Sequence, residues 1–170
     1  MKLKPNHVII PLITILVALA GRYFTDLGMP WYNFGVLKPD LTPPGWAFPL
    51  AWTAIFVFTT IAALLVWNKG TSPQGFFSFL LNRKSASRFH WAVAVLFINA
   101  ILNVLWTYLF FAKSLVLESF AEIIVLEMTI LILVILSWKI SRAASVLLLP
   151  YLIWVGFATY LNYQIVILNF

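Results

Sequence analysis

The sequence predicts an all-α membrane protein, a bundle of five transmembrane helices. Three observations lead there. Hydrophobic residues make up 63% of the 170 residues and charged residues only 9%, against roughly 45–50% and about 25% in a soluble domain. A soluble domain of this length hides only about 68–70% of its unfolded surface, so the bilayer must solvate much of the remainder. Finally, the apolar residues gather into five runs. Each reaches the roughly 20 residues that cross about 30 Å of hydrocarbon as a helix.

The runs follow in order along a single domain, 1–170. The first spans about 8–27 and carries Arg22 and Asp26 near its end. Lys2 and Lys4 before it, with Ala18-Leu19-Ala20 inside it, also have the form of a secretory signal. The apolar run continues past that site, so a membrane helix is expected. The second, 47–67, holds no charge, and the third, 90–111, has no Lys, Arg, Asp or Glu. The fourth, 115–138, contains Glu118, Glu122 and Glu127; the fifth, 145–168, is uncharged. Helix is the default, because a spanning segment must satisfy its own backbone hydrogen bonds. Barrel strands would be shorter and would alternate in polarity.

The connections differ in character. Residues 28–46 hold Gly28, Pro30, Gly35, Pro39, Pro43, Pro44 and Gly45. Proline fixes φ and drives the preceding residue extended, so a shaped, non-helical loop is expected over 28–46. Its Trp31, Tyr32 and Phe34 suit either an interfacial aromatic belt or a lid over a cavity. The second connection sets Phe76, Phe77, Phe79, Leu80 and Leu81 beside basic residues, which reads as a segment lying on headgroups.

Charge sets the expected orientation. Lys2, Lys4, Lys69, Arg83, Lys84, Arg88, Lys139 and Arg142 fall at one end of a five-span bundle, and Lys38 and Lys113 at the other. The positive-inside rule then places the N-terminus in the cytoplasm, in a bacterial cytoplasmic membrane, although the sequence does not exclude the outer membrane. The net charge of +6 follows from this topology. The basic residues form no stripe, so a nucleic-acid partner is not expected. With no cysteine and only His7 and His90, neither disulfide nor metal site is expected.

Polar and aromatic residues recur at helical spacing inside three spans. Asn99, Asn103, Trp106, Thr107 and Phe110 share one face of the third. Such a face is either interhelical hydrogen-bonding glue or a pocket wall, and spacing alone favours glue. Phe48, Trp52, Ile55 and Thr59 share a face of the second; Trp154, Ala158, Leu161 and Asn162 form a similar pattern in the fifth. Three such faces in one small bundle favour a pocket more than any one alone. Glu118 and Glu122 share a face of the fourth span and Glu127 lies on another; deep placement of a charged group is costly.

Several strings are similar to those of the translocator protein / tryptophan-rich sensory protein family. They are Lys38-Pro39, Pro43-Pro44-Gly45-Trp46, Pro49 and Trp52-Thr53; then Asn103, Trp106, Phe110 and Phe111. The fullest is Pro150-Tyr151-Leu152, Trp154, Phe157-Ala158-Thr159 and Leu161-Asn162. The resemblance implies a five-helix bundle, often a homodimer, with a ligand cavity near the first loop. It implies no resident cofactor but a porphyrin-type tetrapyrrole ligand, protoporphyrin IX or heme-like. Carried over by position, the binding residues are Tyr32, Trp52, Asn99, Asn103, Trp106, Phe110, Trp154 and Ala158. Phe48, Thr107 and Leu161 join them from the shared faces. Some relatives are proposed to degrade porphyrin with light and oxygen, which would make Trp52 and Trp154 the candidates for chemistry. Transport of tetrapyrroles is the third expectation. The sterol pattern has no counterpart, because Gln164 to Phe170 contains no Lys or Arg.

Overall fold

A computed structural model describes residues 4–71 and 83–170, with side chains from 88 onward in the second stretch. Among the described residues five helices run up and down: α1 Asn6–Phe34, α2 Ala47–Gly70, α3 Arg83–Thr107, α4 Val116–Trp138 and α5 Arg142–Asn169. α3 ends in a π-helical turn, Tyr108–Ala112. All five are long and apolar enough to cross a membrane, so this is an integral multi-pass membrane protein. The apolar cluster expected at Phe76–Leu81 lies outside the described residues.

The α1 boundary corrects one expectation. Gly28 to Phe34 are helical, and the loop is only 35–46. Pro11 and Pro30 both sit inside α1. Transmembrane helices tolerate such prolines because neighbouring groups satisfy the freed backbone atoms. Gly28 has a packing role, not a turn role. A Cβ on Gly28 would overlap the Phe111 backbone carbonyl, so its absence lets α1 lie directly on the π-turn.

α2, α3, α4 and α5 form the core, with α4 packed along α5 most extensively. Ile55, Ile123, Leu126, Ile130, Tyr151 and Val155 fill the middle of the bundle. Ala62, Val66, Ala92, Leu133, Ala144 and Leu148 fill the end near the N-terminus. Ser141 caps α5 by accepting from the Ala144 N–H at 3.4 Å. Glu127 is partnered within the bundle by the Thr159 hydroxyl, 3.2 Å away, in space left by Gly156.

α1 lies outside this core. Its only buried residues are Asn6, near its start, and Gly28, near its end. Asn6 donates to Asn68 of α2 at 3.0 Å, which puts the N-terminus beside the end of α2. At the opposite end, Leu37 and Asn169 exchange two hydrogen bonds of 3.0 Å, from the Leu37 N–H to the amide oxygen and from the amide to the Leu37 carbonyl. The first loop is thereby fastened to the last turn of α5.

The Gly28 contact yields a prediction. Gly28→Ala forces α1 off the π-turn and destabilises the protein by about 1–3 kcal/mol, the usual cost of overpacking. Gly45→Ala meets nothing within 4 Å and leaves the melting temperature unchanged. Thermal unfolding of the two variants in detergent checks both; equal melting would refute the close approach.

Candidate functional site

A polar layer crosses the middle of the bundle. Asn103 gives an amide proton to the Tyr151 hydroxyl at 3.0 Å, and that hydroxyl donates to the Asn99 carboxamide oxygen at 3.2 Å. The Asn99 amide donates to the Thr129 hydroxyl at 2.8 Å, and Thr129 donates to the Leu126 carbonyl at 2.7 Å. This one directed chain of donors and acceptors joins α3, α5 and α4. Each bond polarises the next, and none of these groups could be left bare in hydrocarbon. Asn99 and Asn103 are therefore interhelical ties. The Thr107 hydroxyl turns back on its own helix, to the Asn103 carbonyl at 2.7 Å.

On the first-loop side of this layer the aromatic residues gather. Trp52 lies 6.4 Å from Trp106 and 6.3 Å from Tyr151, ring centre to ring centre. Trp106 stacks on Phe110 at 5.5 Å and 13°. Phe110, in the π-turn, meets Trp31 and Tyr32 from the last turns of α1. Trp154 meets Phe48 edge-on at 5.9 Å, and it packs with Trp52, Trp106 and Ala158 against the central core. Lys38 of the loop sits over the Tyr32 ring at 4.4 Å. Leu161 is buried further along α5.

Four polar groups in this region lack partners among the described residues. The Trp106 and Trp154 indole N–H groups, both carboxyl oxygens of Glu122, and the Asn162 carboxamide oxygen are buried without a hydrogen bond. Glu122 lies one turn from Ser119 and from Leu126 on the buried face of α4. Asn162 spends its amide on Ser119 at 3.4 Å. More than 90% of buried polar groups in folded proteins are paired, so such a concentration is unusual. Sequence reasoning set Glu122 aside as one acid among three. The missing signal was which face of α4 meets α5.

A cavity of about 500 Å³ lies on the other side of the polar layer, toward the N-terminus. Its walls are Pro5 and the start of α1 as far as Val17, α2 from Ile55 to Trp67, α3 from Val93 to Asn103, and Tyr151 of α5. Of the residues carried over by position, only Asn99 and Asn103 line it. The aromatic residues beneath the first loop are packed against one another rather than around this space.

The model of the TspO/MBR family matches residues 8–168. The chain belongs to the TspO/MBR family. It is 32% identical to the tryptophan-rich protein TspO of Chlorobaculum tepidum, over 92% of this chain and 91% of that one. It is 28% identical to the tryptophan-rich sensory protein of Cereibacter sphaeroides, over 94% and 84% of the two chains. The similarity extends to the human translocator protein at 24% identity, over 85% and 78%. This is therefore a membrane protein of the sensory and translocator family.

Tyr151→Phe tests the polar layer. It removes the hydroxyl that serves two asparagines and should cost about 0.6–1.7 kcal/mol, the range for interhelical hydrogen bonds in a membrane bundle. A lowered melting temperature in detergent is the expected result; unchanged melting would show that the layer contributes no net stability.

Proposed function

We propose that the protein binds a flat porphyrin-type tetrapyrrole in its aromatic end, beneath the first loop. The observation carrying this reading is the set of buried, partnerless polar groups among aromatic rings. A ligand that is mostly flat and apolar, with a few polar atoms, fits that inventory. Trp52, Trp106, Phe110 and Trp154 offer faces and edges to a macrocycle. The two free indole N–H groups donate to its acceptor atoms, and the Glu122 carboxyl meets a ring N–H. Lys38, at the loop, meets an acidic substituent.

The rings are in mutual contact, so binding requires them to part. Trp106 and Phe110 stack closely, and a macrocycle would replace that contact with its own. The loop 35–46, fastened through Leu37 and Asn169, acts as the lid in this reading. The bias of basic residues supports a cytoplasmic N-terminus in an inner membrane. Asn6 and Asn68 bring the start of α1 and the end of α2 together, so Lys4 and Lys69 lie at the same end of the bundle.

Titration with protoporphyrin IX in nanodiscs, in the dark, tests the reading through tryptophan fluorescence. Saturable quenching in the micromolar range is expected. Trp154→Phe and Trp106→Phe keep an aromatic ring but lose the N–H, and each weakens binding about fivefold to tenfold, the effect of one hydrogen bond. Linear quenching, equal in all three proteins, would mean partition into lipid and would overturn the proposal.

A further inference from the structure

The 500 Å³ cavity on the N-terminal side is separate from the aromatic end, and its shape follows from how α1 is held. α1 is tied to α2 at Asn6–Asn68 and again where the Thr14 and Thr60 hydroxyls share a hydrogen bond at 3.0 Å. α3 lines the same cavity with Val93, Phe97 and Ala100, whose side chains can form no such tie. Hydrogen bonds therefore close the α1–α2 side of the cavity, while its α1–α3 side is walled by apolar side chains. The rim agrees: Ile9 and Phe97 are 52% and 62% exposed, and both line the cavity. In a membrane, that rim faces lipid chains.

The lining has a chemical signature. No Lys, Arg, Asp or Glu contributes to it, so a charged ligand would enter uncompensated at a cost of several kcal/mol. Two polar atoms are nevertheless unmet on its walls. The Thr59 hydroxyl is buried without a partner. Asn103 is 5% exposed; it donates to Tyr151, while its carboxamide oxygen accepts nothing among the described residues. A pure hydrocarbon would leave both unmet. A hydroxyl can accept from Thr59 and donate to Asn103. The volume falls within the roughly 300–1,000 Å³ of small-molecule sites.

We propose that this cavity is a second ligand site, entered sideways from the bilayer between α1 and α3, for an uncharged long-chain lipid bearing one hydroxyl group. The hydroxyl reaches the Thr59 and Asn103 wall, and the chain runs out past Ile13 and Phe97 into the surrounding lipid. The site requires no tetrapyrrole, and none of the aromatic residues beneath the first loop line it except through the shared asparagine layer.

The experiment uses the full chain in nanodiscs and a long-chain primary alcohol carrying a photoreactive diazirine in its chain. After illumination, labelled peptides are mapped by mass spectrometry. Label should concentrate on α1 residues 9–17 and α3 residues 93–100. Ala63 lines the cavity, so Ala63→Phe fills it and should lower that labelling at least about tenfold. Thr59→Val keeps the shape and removes the hydroxyl. It should lower capture of the alcohol about threefold, the weight of a typical membrane hydrogen bond, and leave capture of the matching alkane unchanged. Quenching by protoporphyrin IX should be unaltered in both variants. Unchanged thermal unfolding in detergent shows both variants folded whether or not a tetrapyrrole binds, so the two readings can fail independently. Label spread evenly over all lipid-facing helices, or unchanged in both variants, would mean annular lipid only and would overturn the proposal. Crosslinks between two copies at the α1–α3 seam would overturn it too, since a second copy would then cover the entrance.

Discussion

The Tyr151 hydroxyl is the point on which the arrangement depends. In hydrocarbon, two asparagine side chains on one helix cannot remain unpaired. Tyr151 takes a proton from Asn103 and gives its own to Asn99, and Thr129 completes the set from α4. Three helices are thus fixed in register by two hydroxyls, those of Tyr151 and Thr129. The layer also divides the bundle. Aromatic rings with unspent polar groups lie toward the first loop, and a mainly apolar cavity lies toward the N-terminus. Each half carries a different chemistry, and of the layer's side-chain groups the Asn103 carboxamide oxygen is the one left to the cavity side.

α1 determines how far each half is open. It is held at Asn6 and at Gly28, with a hydroxyl contact between them at Thr14. Gly28 brings its C-terminal end against the π-turn, which carries Phe110 and Phe111 toward Trp31 and Tyr32. π-turns within helices occur frequently at functional sites. Here the turn packs against the aromatic half, while nearer its start the same helix borders the cavity together with α2 and α3.

Much of this was legible in the sequence, for identifiable reasons. The five spans follow from length and apolarity alone. The face shared by Asn99, Asn103 and Trp106 follows from helical spacing, and the need for partners follows from the medium. The identity of those partners does not: that Tyr151 sits between two asparagines depends on how α3 and α5 pack. Pro30 and Gly28 misled the reading of the first loop, because both residues mark turns in water. In this bundle Pro30 is accommodated within α1, and Gly28 is there for contact. Nor could spacing show that Glu122 is buried without a partner while Glu127 finds Thr159. The cavity depends on where α1 is tied, and Thr14, Thr60 and Asn68 look like ordinary polar residues in apolar runs.

The central claim is that a tetrapyrrole occupies the aromatic half and not the cavity below the polar layer. The eight tryptophans lie in both halves and can report its position directly. With 5-fluorotryptophan incorporated, fluorine NMR spectra would be recorded with manganese protoporphyrin IX, which is paramagnetic, and with its diamagnetic gallium counterpart. The account predicts strong paramagnetic broadening of Trp52, Trp106 and Trp154, with Trp67, which lines the cavity, left sharp. Strongest broadening at Trp67, or uniform broadening of all eight, would contradict it.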